Sequence, residues 1–257
     1  MGFSDSEVER YARHLVLREI GGPGQQKLNA ARVLIVGAGG LGSPAALYLA
    51  AAGVGAIGVA DPDTVALSNL QRQILYGETD LGRPKALAAA HRLRELNPHV
   101  RIEPIPLAFT MDNAAAFVAG YDLVLDGVDD YATRFAVNAA CYAEGRALVS
   151  GALGRWTGQV GVFAAGLTKG GPVDARQPCY RCLVRDSPPE AETCAVTGVL
   201  GALAGVVGSM MAVEAVKLIT GAGEPLAGRL LVYDALGAVA RTVRLRPDPD
   251  CPLCSSP

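Results

Sequence analysis

Hydrophobic and polar positions along the chain fall into runs that alternate strand with helix. Arg32-Val-Leu-Ile-Val-Gly37 is continuously apolar and β-branched, the pattern of a strand buried on both faces. It runs directly into Gly37-Ala-Gly-Gly-Leu-Gly42 and then an Ala/Leu-rich stretch, which predicts a helix stopping near Gly53. A second strand, Ala56-Ile-Gly-Val-Ala60, ends at Asp61 and closes a βαβ unit whose crossover should be right-handed. After a long polar loop (Pro62–Pro84) the alternation resumes. Lys85–Leu96 has helical spacing and is closed by Asn97-Pro98; Val100–Ile105 reads as a strand and Asp112–Ala119 as a helix. Leu123–Asp126 is the next strand, about Tyr131 to Glu144 the next helix, and Ala147–Ser150 a further strand. This repetition predicts an α/β, doubly wound, mostly parallel sheet.

The flanks read differently. Glu7–Arg18 has the pattern of a helix, followed by a Gly/Pro break at Gly21–Gly24. Gln159–Ala164 alternates like an antiparallel strand, and Leu230–Asp234 with Val239–Leu245 forms a hairpin around Gly237. Together they predict an antiparallel C-terminal extension. Between these strands, Leu167–Thr193 is rich in Pro, Gly and charge and is expected to be mobile. No linker interrupts the pattern, so residues 1–257 are expected to form one domain. Its parts are an N-terminal helical arm (1–30), a nucleotide-binding core (31–150) and a remainder (151–257).

Half of the 257 residues are apolar but only 5% are aromatic, so Ala, Val and Leu must build the core. A formal charge of −2 provides no global attraction to nucleic acid or anionic membrane. Val196–Val216 is long and apolar enough to consider as a membrane span, but it contains Glu214 and small residues at helix-packing intervals, so a buried helix is expected. The N-terminus carries no apolar export signal, which leaves the cytoplasm as the expected location.

The glycine loop is the first chemical signal. Gly37 and Gly39 permit a tight turn and close backbone approach to phosphate, while Gly42 lets the following helix pack on its strand. A Rossmann-like unit places an anion at that helix N-terminus. Asp61 sits at the next strand end, where a carboxylate accepts ribose hydroxyls. These features alone leave an NAD-dependent oxidoreductase open. The segment that follows argues for ATP instead. Ser68-Asn69-Leu-Gln-Arg72-Gln73 and Gly82-Arg-Pro-Lys85 bring Arg72 and Lys85 into one loop, and a reaction that cleaves a triphosphate needs such cations where charge develops. Asp129 and Asp130, at the end of a later strand, are candidates to hold Mg²⁺ against phosphate, although Asp129 also fits an N-cap. The loop lacks the GKS/T of a Walker-type NTPase.

Cys179-Tyr-Arg-Cys182 and Cys251-Pro-Leu-Cys254 are two CxxC knuckles suited to a closed, structural Zn²⁺ site, with a redox pair as the alternative. Cys141 lies mid-helix and is expected in the core. Cys194 precedes a Gly-rich helix and fits either a reactive thiol or a plain loop residue. His14, His91 and His99 sit beside no nucleophile and are expected in surface or satisfied polar roles.

These residues, in this order from about position 7 to 254, resemble the MoeB/ThiF/HesA group, the bacterial relatives of ubiquitin-activating enzymes. The resemblance is carried by Arg10-Tyr-Ala-Arg13-His, Gly37–Gly42, Asp61, Ser68–Gln73, Gly82–Lys85, Asp126–Asp130, the two CxxC knuckles and Thr193-Cys194. It implies Mg-ATP as cosubstrate and a ubiquitin-like sulfur carrier of the MoaD or ThiS type, whose C-terminal Gly-Gly carboxylate becomes an acyl-adenylate and then a thiocarboxylate. It assigns the phosphate cradle to Gly40 and its neighbours and the ribose to Asp61. Asn69, Arg72 and Lys85 would meet the triphosphate, Asp129 the Mg²⁺, and the four paired cysteines zinc. Arg13 resembles an arginine that reaches the other ATP site of a homodimer. Cys194 resembles a position that takes a covalent bond to the carrier in some members, and Cys194→Ala is expected to keep adenylation. The chain stops three residues after Cys254, so sulfur is expected from a separate donor protein. Molybdopterin, thiamine and tRNA-thiolation carriers are not separated by these residues. A non-catalytic scaffold for a ubiquitin-like protein, and a relative acting on tRNA, are the readings from other classes.

Overall fold

A computed structural model describes residues 2–187 and 198–255. Eight strands form one sheet in the order β3-β2-β1-β4-β5-β6-β7-β8. The first five are β1 (Arg32–Val36), β2 (Ala56–Ala60), β3 (Arg101–Ile105), β4 (Leu123–Asp126) and β5 (Ala147–Leu153), and their pairings are parallel. The antiparallel end comprises β6 (Thr157–Phe163), β7 (Arg229–Asp234) and β8 (Val239–Arg244).

The helices between strands are α3 (Gly42–Ala51), α4 (Lys85–Leu96), α5 (Ala114–Val118) and α6 (Tyr131–Ala143); α7 spans Gly201–Thr220. Strand residues alternate between two cores because successive side chains point to opposite faces. Val33, Ile35, Ile57, Val59, Leu125 and Val149 bury against residues of α3, α4 and α7. Leu34, Val36, Val124 and Leu148 bury against residues of α5 and α6 on the other face. The sheet is thus doubly wound. Ala-rich helices let the layers approach closely: a Cβ on Gly208 would collide with the carbonyl oxygen of Leu41, so α7 lies directly against the start of α3. Among the described residues α7 is the one helix long and apolar enough to cross a membrane. In the fold Leu203, Val207, Met211 and Ala215 are buried, and Glu214 accepts a 2.7 Å hydrogen bond from Leu226 N–H.

The N-terminal arm departs from the sequence expectation. α1 covers Asp5–Leu15, and the expected break at Gly21–Gly24 is instead the first turn of α2 (Gly21–Ala30). Pro23 is tolerated there because first-turn N–H groups have no intrahelical acceptor. Helix α1 starts with a capping box in which Ser4 and Glu7 satisfy each other's backbone N–H groups. It is held to the core by Tyr11, which packs over Gly53 and accepts a 3.0 Å hydrogen bond from Asn97 Nδ2. The described part of the segment after β6 is also tied down, Gln177 N–H donating to Thr168 Oγ1 and Tyr180 N–H to Asn138 Oδ1.

Candidate active site and metal centre

Strand order reverses between β1 and β4, so the loops leaving their carboxyl ends part and open a crevice. A cleft of 670 Å³ lies there, with Gly37, Gly39 and Gly40 on one wall, Asp61 and Lys85 on a second, and Gly127–Asp130 on a third. Gly37 adopts φ +86°, a left-handed conformation that favours glycine. A Cβ on Gly40 would lie 3.3 Å from Ala204 Cβ and 3.5 Å from Arg72 Cδ, so the bare backbone of Gly40 faces the space flanked by Arg72.

The loop is braced from beneath. Asp61 Oδ2 accepts a 2.8 Å hydrogen bond from Ala38 N–H, and its Oδ1 accepts one of 2.9 Å from Asp63 N–H. Tyr76 Oη and Ser43 Oγ both donate to the carbonyl of Ala38, at 2.9 and 3.2 Å. Burial raises the Asp61 carboxyl above its ordinary range, opposed by Lys85 and the two backbone N–H groups. Lys85, buried at the first turn of α4, sits 2.9 Å from Asp63 Oδ2 and 4.0 Å from Asp61 Oδ1. Arg72 donates from Nη1 to the carbonyl of Ser68 at 3.1 Å.

Most of the sequence candidates therefore converge: Gly37, Gly39, Gly40, Asp61, Asn69, Arg72, Gln73, Lys85, Asp129 and Asp130 all line the cleft. Gly42 lies just behind it as the first residue of α3, and Ser68 contributes a carbonyl to Arg72 rather than a wall. Arg13 is exposed on α1 and lines no part of the cleft. Cys194 lies outside the described residues. The N-cap of α6 is Asp130, whose Oδ1 accepts from Thr133 N–H at 2.8 Å. Asp129 is left exposed beside the cleft and makes no ion pair or hydrogen bond with any described residue.

The residues fit a nucleotide. A glycine backbone free of Cβ atoms, two cations and a free carboxylate face one space. Gln73 in addition has a buried Oε1 with no partner among the described residues, which a ligand donor would satisfy.

Sequence reasoning missed a buried polar group behind this wall. Asp126 is fully buried; its Oδ2 accepts from Ser150 Oγ at 2.9 Å and lies 3.4 Å from Arg134 Nη1. Burial pushes the Asp126 carboxyl up, and the Arg134 charge opposes this most. Arg134 also donates to Ser150 Oγ and to the carbonyls of Gly151 and Val128. Its signal was a lone charge in the otherwise uncharged helix Tyr131–Ala143.

The two knuckles meet. The Sγ atoms of Cys179, Cys182, Cys251 and Cys254 lie within 4.8 Å of one another, with Cys179–Cys251 at 3.5 Å and Cys182–Cys254 at 3.4 Å. Disulfides need about 2.05 Å. Thiolates about 2.3 Å from a tetrahedral zinc stand about 3.8 Å apart, so the donor set fits that ion. Cys141, on the core-facing side of α6, is buried and its thiol is pushed up by burial. Cys251→Ser should halve the second knuckle's thiolates and abolish tight zinc binding; native mass spectrometry reporting full zinc occupancy would contradict the tetrad.

The model of the ThiF family matches residues 11–253. The chain is 47% identical over 256 residues to the sulfur carrier protein adenylyltransferase of Thermus thermophilus, covering 99% of this chain and 93% of the relative. It is 43% identical over 251 residues to the molybdopterin-synthase adenylyltransferase of Escherichia coli, with 98% of each covered. The crystal structure of E. coli MccB with ATP superposes with a TM-score of 0.80 at 22% identity, over 96% of this chain and 75% of that one, a likeness of fold. A family model spanning nearly the whole sequence, joined to relatives this similar along almost their full length, places the chain in the ThiF family.

Proposed function

We propose that this chain is an adenylyltransferase that activates the C-terminal Gly-Gly carboxylate of a ubiquitin-like sulfur carrier protein. The observation that carries this reading is the placement of Arg72, Lys85 and Asp129, the last without a partner among the described residues, around one glycine-lined cleft. The names of the Thermus and Escherichia relatives support the substrate class. A carboxylate is a poor electrophile, and joining one of its oxygens to AMP as a mixed anhydride gives the carbonyl carbon a leaving group. The carrier carboxylate oxygen attacks the α-phosphorus of ATP. The bond from that phosphorus to the β-phosphate oxygen breaks, and pyrophosphate departs with the electron pair.

Each residue has a role in that step. Gly37, Gly39, Gly40 and Gly42 let the backbone approach the phosphates, and Asp61 accepts from the ribose. Asn69, Gln73, Arg72 and Lys85 contact the triphosphate, with the two cations lowering the repulsion between anionic carboxylate and phosphate. Asp129, with Asp130 beside it, would hold Mg²⁺, which neutralises phosphate charge when bound. Ser68 orients Arg72 through its carbonyl. A second cavity of 360 Å³ adjoins the cleft and shares Tyr131, Arg134, Ala152, Leu153 and Tyr180 with it. Its wall of Gly151–Gly154 suits a tail without side chains.

The exposed Arg13 fits a role in the cleft of a second copy, so the working unit is a homodimer. The four cysteines hold structural Zn²⁺, and free thiols of this kind suit the cytoplasm. We read the chain as a single adenylation domain, with residues 151–257 bearing the carrier and zinc surfaces. A separate sulfurtransferase or cysteine desulfurase supplies sulfur, and Cys194 serves at most that later stage. The test is ATP–pyrophosphate exchange with Mg²⁺ and candidate carriers added one at a time. Exchange that requires one carrier with an intact Gly-Gly end is the expected result; nucleotide binding without exchange for any carrier would overturn the proposal.

A further inference from the structure

The first zinc knuckle is built onto the helix that starts from the Asp129 loop. Tyr180, between Cys179 and Cys182, is buried and donates its N–H to Asn138 Oδ1 on α6 at 2.8 Å. Its ring lies against the Arg134 guanidinium, 5.3 Å from carbon to centroid, and is packed edge-on by Phe163. On the next position of the same helix, Phe135 packs against Tyr180 and carries Arg181 over its face at 4.4 Å. Three consecutive knuckle residues, Cys179 to Arg181, are thereby keyed to α6 or to the metal tetrad.

From Arg134 the connection runs to the active site. The guanidinium reaches the carbonyl of Val128, the residue before Asp129, and also Asp126, Ser150 Oγ and the Gly151 carbonyl. A planar guanidinium can make these bonds together only in one orientation. The Tyr180 ring closes the side of that slot facing the knuckle. Without it, water and alternative rotamers reach the guanidinium, and the Val128 carbonyl loses its fixed donor.

We propose that Tyr180 and Arg134 are positioning residues that transmit the geometry of the zinc knuckle to Asp129, so that the metal tetrad sets the Mg²⁺ affinity of the nucleotide site as well as fastening the tail. The inference rests on the reading of Asp129 as the Mg²⁺ carboxylate. Neither residue is asked to touch phosphate.

The test compares Tyr180→Leu, Tyr180→Phe, Arg134→Lys and Asp129→Asn in the full chain, each checked for one zinc per chain and a cooperative melt. The readout is the Mg²⁺ concentration giving half-maximal ATP binding, beside ATP affinity in Mg²⁺-free buffer without chelator. Tyr180→Leu and Arg134→Lys should raise the Mg²⁺ requirement about tenfold, the scale of a desolvated cation–π contact, with zinc retained and Mg²⁺-free ATP affinity changed far less. Tyr180→Phe keeps the ring and should stay within about twofold of the parent. Wild-type Mg²⁺ dependence in zinc-loaded Tyr180→Leu or Arg134→Lys overturns the inference when Asp129→Asn is impaired. Wild-type dependence in Asp129→Asn overturns the underlying role of Asp129 itself. If Tyr180→Leu fails to fold, Arg134→Lys decides, since it keeps the charge opposite Asp126 and removes only the fork.

Discussion

Arg72→Ala is expected to lower carrier-dependent ATP–pyrophosphate exchange by roughly 10²–10³-fold while weakening ATP binding far less. Arg72 lies beside Gly40, its guanidinium steadied by the Ser68 carbonyl at 3.1 Å. In the proposed reaction it is, in the ground state, one of several groups facing the triphosphate. As the α–β bond breaks, negative charge builds on the departing pyrophosphate, and a pre-placed guanidinium gains most at that moment. Single-turnover rates against measured ATP affinity separate the two contributions. A loss of affinity with an unchanged single-turnover rate at saturating ATP would mean that Arg72 serves binding alone. Arg72→Lys should recover only part of the rate, because an ammonium cannot keep the Ser68 anchor and also present a planar fork.

The second large effect falls on stability. Gly42→Ala should cost at least about 4 kcal/mol, because the added methyl would overlap the carbonyl oxygen of Gly37 with backbone on both sides. Neither partner can yield without unwinding the first turn of α3 or breaking the register of the loop with β1. Gly40→Ala is the contrast. The atoms nearest its Cβ would be Ala204 Cβ at 3.3 Å and the flexible Arg72 side chain at 3.5 Å, so the fold should lose no more than about 1 kcal/mol. If phosphate approaches this backbone as proposed, the methyl would stand in its way, and ATP affinity should fall at least about tenfold. Urea midpoints and ATP titration of both variants check the pair; equal destabilisation by both would refute the distinction.

Much of this was legible in the sequence because it is local. The continuous run Val33–Val36, the glycines after it and Asp61 after the next strand are read by adjacency, and β1, α3 and β2 fall where the pattern put them. Arg72, Lys85 and Asp129 could be picked by residue type, since few cations and acids follow strand ends in so apolar a chain. The two CxxC knuckles announce themselves through spacing, though not that they would close on α6. What stayed hidden depends on contacts distant in sequence. Asp126, Arg134 and Ser150 form one buried group across β4, α6 and β5, and the lone charge of Arg134 in its helix does not say which partners it meets. Tyr76 bracing the Ala38 carbonyl across 38 positions is similarly silent. The first turn of α2 was misread because glycine and proline look like a break, whereas at a helix start their lost or unused N–H groups cost little.

The ion pair between Lys85 and Asp63 has a consequence for selectivity. Lys85 already has a carboxylate 2.9 Å away and another at 4.0 Å, so a polyphosphate does not simply acquire a waiting cation. It must outbid a neighbour, and Asp63, two-thirds exposed, is free to swing into solvent when it is displaced. A single weak anion such as chloride or acetate offers too little to complete that exchange. A chain of three phosphates, engaging Arg72 and the glycine backbone at the same time, offers enough. If Lys85 meets the triphosphate as proposed, the pair would act as a threshold, holding the lysine from small anions and yielding it to a polyanion long enough to reach the whole cleft.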